Sequence, residues 1–319
     1  TTFYFTGRSD NFDPSQNSGN PSDARLDPES IRMSNSGHFV YISDEYGPYV
    51  YQFDRTTGQR VKSFKLPDNL YVSTLSSQGQ VEIDNNATGR IANKGMEGLA
   101  ITPDGKTLVG IMQAPLEQDA ANAATAKLLR IVTIDIATGT THEYGYKLTD
   151  GSGVSEITAI NDHEFLVDER DGKGLGDGSN AKVKELFKID IAGATDITNL
   201  TGQAAADAAV GKTLEVDLVK VLTDNGITKD QIPSKIEGLS FGQDVTVDGE
   251  RMHTLYVTND NDFTPNDSGP NQFYVLGFTD QDLTDFVAQG IPEPRTVMLL
   301  LSGLLGLQLV RRRRDGAPV

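Results

Sequence analysis

One unit recurs four times along this 319-residue chain, and it constrains the fold more than any other feature. Each unit has a glutamate at or near the start of an apolar segment. A turn follows, and then a second apolar segment. The four glutamates are Glu29, Glu97, Glu156 and Glu237. Each unit continues into another pair of strand-like segments, so each unit predicts one four-stranded antiparallel sheet.

Sheets that repeat along a chain are typical of an all-β propeller, in which four-stranded antiparallel blades surround a channel. We predict such a propeller over residues 1–290, with six blades expected and five to seven compatible with the spacing. Residues 1–26 suggest part of another blade, truncated by the start of the sequence. Residues 203–234 suggest a helix or an inserted hairpin. A flat β-sandwich is the alternative, but it gives the glutamates no reason to recur.

The recurring glutamates predict a cation site. One carboxylate per blade near the same rim creates repulsion that a cation or protons must relieve, and hard oxygen ligands suit Ca²⁺, with Mg²⁺ as the alternative. The predicted metal ligands are Glu29, Glu97, Glu156, Glu237, Asp44, Glu45 and Asp260. Asp168, Glu169 and Asp262 are further acids at strand ends. The alternative is that each acid holds a turn or binds backbone N–H groups of the next blade.

Composition excludes several classes of protein. The chain has no Cys, so disulfides, Cys-ligated zinc and thiol nucleophiles are excluded. Its four His do not have metal-binding spacing, and neither a Gly-x-Ser-x-Gly elbow nor a Walker-type phosphate loop is present. The net charge of −17 repels nucleic acid and anionic membrane surfaces. We therefore expect no nucleic-acid partner.

Residues 291–319 differ from the rest of the chain. Pro292-Glu293-Pro294 precedes an apolar run over residues 296–310, and four arginines, Arg311–Arg314, follow it. A helix of that run rises about 22 Å, less than the roughly 30 Å of a hydrocarbon core. Arginines directly after an apolar run indicate a cytoplasmic end, which leaves the body outside.

This tail resembles a PEP-CTERM sorting signal. The resemblance implies a Gram-negative producer and cleavage by an exosortase near Pro292. It also implies export to the cell surface or medium, with only transient membrane association through residues 296–310. A simple membrane anchor is the alternative.

The body resembles the phytase-like propeller family, which is described as having esterase-like activity. The matching segments are 27–29 with 42–48, 95–100 with 103–106, 165–170, and 236–240. The resemblance implies phosphoester hydrolysis with calcium, acting on a small phosphoester or ester. It implies catalytic roles for Glu97, Glu237, Glu169 and Arg170. Basic side chains, namely Arg170, Lys94 and Lys235, would share the charge of a bound phosphate.

Two other functions remain open from the sequence. The first is a non-catalytic, cation-binding propeller that acts as a binding module for a component of the cell-surface matrix. The second is a lactonase-like or general esterase propeller that uses the same central cation. The sorting-type tail is compatible with each of these, since it concerns delivery rather than chemistry.

The tail yields a first prediction. If a sorting enzyme recognises Pro292-Glu293-Pro294, mass spectrometry of the secreted protein should find no peptide beyond about Arg295. Recovery of a peptide that contains Arg311–Arg314 from the secreted form would show that the tail is retained.

Overall fold

Each repeated unit forms one antiparallel sheet in the computed structural model, which describes residues 13, 15–22, 25–47 and 49–291. Blade one contains β1 (Pro28–Met33), β2 (Phe39–Asp44), β3 (Tyr49–Asp54) and β4 (Arg60–Phe64). Blade two contains β5 (Met96–Ile101), β6 (Thr107–Met112), β7 (Leu128–Asp135) and β8 (Thr141–Lys147). Blade three contains β9 (Gly153–Ala159), β10 (Glu164–Arg170), β11 (Lys184–Asp190) and β12 (Lys212–Asp217). Blade four contains β13 (Ile236–Phe241), β14 (Val245–Val247), β15 (Glu250–Asn259) and β16 (Phe273–Phe278).

Blade four differs from the other three in its outer half. The short strand β14 pairs with the first residues of β15, and β13 pairs with its last residues, so both lie along one edge of β15. Strand β16 pairs with the other edge. Blade four is therefore three strands deep, whereas blades one to three each have a fourth, outer strand.

Apolar side chains on both faces of the blades hold them together. Successive residues of a strand face opposite sides of its sheet. In β5, Leu99 joins a buried cluster with blade one, and Ala100 joins a cluster with blade three. A third cluster, which includes Leu166 and Val257, lies between blades three and four. The near-continuous apolar runs of β6 and β7 follow from this burial on two sides.

The first strand of each blade is its inner strand; these strands are β1, β5, β9 and β13. The backbones of neighbouring blades touch at the end of the channel where the inner strands begin, which we call the mouth. A Cβ added to Gly95 would lie 1.6 Å from the carbonyl oxygen of Glu45, and one added to Gly153 would lie 2.8 Å from that of Gln113. Only glycine permits such an approach. These contacts fix the residues at the mouth relative to the next blade.

Side-chain contacts join blade one to blades three and four. The Arg32 guanidinium of β1 donates to the carbonyl oxygens of Ile157 and Leu239, at 3.1 and 3.4 Å, across the channel. The segment 279–291 follows the last strand of blade four and reaches the end of β1, where Gln289 donates at 2.7 Å to the carbonyl oxygen of Met33. This segment joins the last blade to the first.

The connections carry short helices: a 3₁₀ helix (Asp68–Leu70), α1 (Gly79–Asp84), α2 (Glu117–Ala120), α3 (Gly202–Asp207), α4 (Leu218–Asp224) and α5 (Pro265–Ser268). The propeller prediction is confirmed at the level of four-stranded blades, but the expected six blades are wrong. The described residues form four, because the long connections fold as loops and short helices. Within 203–234, β12 is the outer strand of blade three. The described part of residues 13–26 contains no strand.

All but the first residue of the predicted tail, residues 291–319, lies outside the described residues, as does most of the predicted partial first blade, including residues 1–12. The boundary at residue 291 therefore stays a prediction. Among the described residues, no helix has the length and apolar character needed to cross a bilayer.

The contact at Gly95 yields a second prediction. Gly95→Ala should lower the free energy of unfolding by about 3 kcal/mol, because the new methyl group meets backbone that cannot yield without shifting Glu45. Gly211→Ala is the control, since a Cβ there meets nothing within 4 Å. Urea unfolding of both variants measures the difference. Equal stabilities would contradict the close approach.

Candidate functional site

A β-bulge at the mouth end of each inner strand sets which side chains face one another. In blades two and four, the residues left out of register are Glu97 and Glu237. Glu29 lies within the same interval of β1. In blade three the extra residue is Ser155, and Glu156 lies one position further along the strand. The ring at the mouth therefore consists of three glutamates and one serine.

Glu156 lies inside the channel rather than in the ring. Its Oε2 is 2.9 Å from the Arg32 guanidinium and accepts from the Ser30 hydroxyl at 2.9 Å, and its Oε1 accepts from the backbone N–H of Leu99 and Ile157. These contacts occupy both carboxylate oxygens. The structure therefore disagrees with the prediction of Glu156 as a metal ligand beside the other three glutamates.

Asp168, the register partner of Glu156, is fully buried. Neither of its carboxylate oxygens has a hydrogen-bond partner among the described residues. Burial raises the pKa of Asp168 to about 7.

Three carboxylates from blade one come together at the mouth. One oxygen each from Asp27, Glu29 and Glu45 lies within 4.8 Å of the other two. Glu45 is buried, whereas Glu29 reaches the surface. The pKa values of both are raised far above the ordinary range, first by loss of hydration and then by repulsion from Glu97, and Glu45 adds to the shift of Glu29. Burial also raises the pKa of Asp27. Oxygen ligands at this spacing are those that calcium or magnesium accepts.

Glu97 lies beside this acid cluster and supports the same chemistry. Its side chain is 4% exposed, and its Oε2 has no hydrogen-bond partner in the described part of the chain. Burial raises the pKa of Glu97 to about 7, while a hydrogen bond from the Gln113 side chain opposes this rise. A buried oxygen without a donor is satisfied by a cation or by its own proton. Glu97 therefore fits the edge of a cation site.

Asp44, a predicted ligand, holds the cluster rather than joining it. Its Oδ1 accepts from the backbone N–H groups of Asp27 and Tyr46, each at 3.1 Å. Burial raises the pKa of Asp44 to about 7. Behind it, Arg90 donates from Nε to the Tyr46 carbonyl oxygen at 2.6 Å and pairs with buried Glu82. These contacts fix the turn that carries Glu45.

The hydrogen bonds of Glu169 indicate that it holds a loop in place, which disagrees with its predicted catalytic role. Its Oε1 accepts from three consecutive backbone N–H groups, those of residues 149–151, at 2.8 to 3.0 Å. Its Oε2 accepts from the Tyr146 hydroxyl at 2.8 Å and from Lys212 Nζ at 2.5 Å. A fully bonded carboxylate holds a loop in place and has little capacity left for a substrate.

Arg170 and Glu237 form an ion pair on the opposite side of the mouth. Burial raises the pKa of Glu237, and Arg170 opposes the rise. Arg170 Nε also donates to the Ser155 hydroxyl at 2.5 Å. Asp260 is outside the acid cluster: its Oδ1 accepts from the Asp262 backbone N–H, and Asp262 pairs with Lys235 at 2.6 Å.

A small polar pocket of about 140 Å³ lies between blades two and three, beside Arg170. Its lining residues are Lys94, Gln113, Ser152, Gly153, Val154 and Arg170. No carboxylate lines it, although the chain is strongly acidic. Within the described part of the chain, neither Lys94 Nζ nor Arg170 Nη1 has a hydrogen bond or ion pair. Two such cations in one pocket suit an anion.

Sequence reasoning missed two residues of this site. Asp27 opens the first unit, and its carboxylate joins the cluster because its own carbonyl oxygen accepts from the backbone N–H of Glu45 at 3.0 Å. Counting residues from the start of each unit aligns Glu156 with the glutamates of the other blades, and Ser155 is then missed. A bulge changes the count by one. The apolar Val154, equivalent to Met96 and Ile236, was the available signal.

Comparison with known proteins identifies the family of this chain. The family model described as "Phytase-like: Esterase-like activity of phytase" matches residues 8–263, and the chain belongs to this family. An Arthroderma benhamiae relative, named "Uncharacterized secreted protein", is 27% identical over 297 residues; the match covers 81% of this chain and 58% of the relative. The chain thus spans little more than half of that protein's length.

Solved structures show only distant similarity. The β-propeller domain of Myceliophteria thermophila Cps50 (Swd1) is 10% identical, with a TM-score of 0.32, and the match covers 83% of this chain and 56% of that one. Kuenenia stuttgartiensis hydrazine synthase is 12% identical, with a TM-score of 0.30, over 82% of this chain and 68% of that one. Similarity at this level carries no argument about function.

The buried acids yield a third prediction, on pH. Carboxyl groups with raised pKa values bind more protons in the folded state than in the unfolded state, so stability falls as pH rises. Without added cations, the free energy of unfolding should decrease as pH rises above about 4, and the part due to Asp44 should be complete near pH 7. Asp44→Asn should remove on the order of 3 kcal/mol of this decrease, because its pKa shift is lost while Oδ1 still accepts two N–H groups. Urea unfolding across pH measures the effect.

The exposed Asp267 provides the control for that experiment. Asp267→Asn should leave the pH profile unchanged. If the free energy of unfolding of the Asp44→Asn variant falls with pH as steeply as that of the wild type, Asp44 is not a buried acid with a raised pKa.

Proposed function

We propose that the protein is a hydrolase of phosphoesters that depends on a divalent cation, with calcium the first candidate. The observation that carries this proposal is the pairing of two opposite sites at one mouth. The acids Asp27, Glu29 and Glu45 suit a cation, and the adjoining pocket with Lys94 and Arg170 suits an anion. Membership of the phytase-like family supports a hydrolase.

The residues present fit a cation. Asp27, Glu29 and Glu45 would hold it, with the free Oε2 of Glu97 at the edge. A bound calcium ion supplies neutralisation of negative charge on a substrate and a bound water of lowered pKa. Glu97 lies next to Glu29 and has one carboxylate oxygen without a partner among the described residues, so it could accept a proton from a water held at the cation, as a general base does.

The basic side chains would bind the non-bridging oxygens of the substrate. Arg170 is held from two sides, by Ser155 and Glu237, so its guanidinium is oriented before a substrate binds. Lys94 adds a second positive charge on the far side of the pocket. Gln113 lines the pocket and also donates to Glu97, which connects the two halves of the mouth.

One observation favours a second candidate, a non-catalytic binding module that holds a cation and a component of the surface matrix. Arg170 is already neutralised by Glu237, so a phosphate must compete with a carboxylate for it. A lactonase-like or general esterase activity at the same cation would need the acids but not the anion pocket.

We also propose that the protein is exported. The relative in Arthroderma benhamiae is called a secreted protein, and the tail resembles a sorting signal. An exosortase is then the expected processing partner, and the mature protein acts at the cell surface or in the medium.

A fourth prediction tests the hydrolase. Purified protein should release phosphate from a phosphomonoester or from phytate with calcium present, and chelator should abolish the release. Glu97→Gln should lower kcat about 100-fold, because the amide neither accepts a proton nor binds a cation as well. Glu250→Gln, on an exposed strand end, is the control and should keep full activity.

The substrate class is tested by Arg170→Ala. This variant should raise KM for a phosphoester and leave hydrolysis of a neutral ester unchanged, since only the phosphate needs the positive charge. Folded protein that calcium stabilises against heat, but that turns over neither phosphoesters, neutral esters nor lactones, would favour the binding module.

A further inference from the structure

The mouth contains one irregular position. Three of the four bulge positions carry Glu29, Glu97 and Glu237, and the fourth carries Ser155. The anion pocket is lined by the three residues before Ser155 and by Arg170, which contacts it. The pocket thus adjoins the one quarter of the ring that lacks a carboxylate.

Ser155 is built into the site rather than lying on its surface. It is 3% exposed, and its hydroxyl oxygen accepts from Arg170 Nε at 2.5 Å. The guanidinium is then bound at Nε by Ser155 and at Nη2 by Glu237. Nη1 has no partner among the described residues, and Arg170 lines the pocket. A neutral acceptor at 155 therefore fixes Arg170 without adding a second carboxylate to that of Glu237.

We infer that Ser155 is the residue that makes this pocket selective for an anion, such as the phosphate group of a substrate. A glutamate at 155, as in the other three blades, would place a second carboxylate against Arg170. The guanidinium would then lie between two acids, and the pocket would lose its net positive charge. The mouth would become a ring of four glutamates, suited to cations alone.

This inference rests on the proposed function only where it calls the anion part of a substrate; binding of a free anion is independent of catalysis. The role of Ser155 also implies that the cation site and the anion pocket occupy different parts of the mouth. The cation site lies on blade one, with Glu97 of blade two beside it, and the anion pocket lies between blades two and three. Gln113 lies between them, since it lines the pocket and donates to Glu97.

A fifth prediction tests this separation with inorganic phosphate and calcium as probes. Isothermal titration should show that Ser155→Glu weakens phosphate binding by at least about tenfold, the scale of one charge-assisted contact. Calcium affinity in the same variant should be unchanged or higher, since negative charge is added to the mouth. Ser240→Glu, which adds the same charge at an exposed serine of β13, is the matched control and should leave phosphate binding unchanged.

Ser155→Ala serves as a second variant, because a buried glutamate can prevent folding. It keeps the pocket neutral at residue 155 but removes the acceptor that orients Arg170. It should weaken phosphate binding several-fold and leave calcium affinity unaltered. If Ser155→Glu folds and binds phosphate as the wild type does, the inference is wrong. If Ser155→Glu does not fold, wild-type phosphate affinity in Ser155→Ala overturns it.

The outcome also separates this inference from the proposed function. Phosphate binding that depends on Ser155, in a protein that hydrolyses nothing, supports the anion pocket and rejects the hydrolase. Hydrolysis of phosphoesters that persists in folded Ser155→Glu supports the hydrolase and rejects the role of Ser155.

Discussion

Repulsion among clustered carboxylates is the interaction on which the mouth of this propeller depends. Asp27, Glu29 and Glu45 are held within 4.8 Å of one another, with Glu45 buried and Glu29 exposed at the rim, and buried Glu97 adds a fourth carboxylate. Each unit by which a pKa is raised represents about 1.4 kcal/mol against the ionised state. A divalent cation removes that cost at neutral pH, and protons remove it in acid.

The rest of the fold keeps these groups from moving apart. Gly95 allows the backbone of blade two to contact the carbonyl oxygen of Glu45, and Asp44 holds the backbone N–H groups on either side of the cluster. Arg90 could have neutralised the acids, but it is paired with Glu82. The scaffold therefore maintains an arrangement that is unfavourable by itself, as is common at functional sites.

The sequence predicted the blades well because each is a local pattern: apolar segments separated by turns, with interior burial on both faces. The number of blades, in contrast, does not follow from any local sequence pattern. Four units are clear in the sequence, and residues 1–26 and 203–234 suggest more; in the structure 203–234 contains α3, α4 and the outer strand of blade three. The same limit applies at the mouth. Glu156 aligned with Glu97 by counting, yet a bulge of one residue sends it into the channel to bind Arg32 and puts Ser155 in the ring. Glu169 looked equally available, and three backbone N–H groups that no pattern encodes hold it.

The central claim is that the cluster formed by Asp27, Glu29 and Glu45 binds a divalent cation. The most direct measurement is an anomalous difference map from a crystal soaked in terbium, which replaces calcium at oxygen-rich sites. The account predicts a strong peak among these three carboxylates, within bonding distance of all of them. A map with no peak there, from a crystal in which terbium is bound at other acids of the surface, would contradict it.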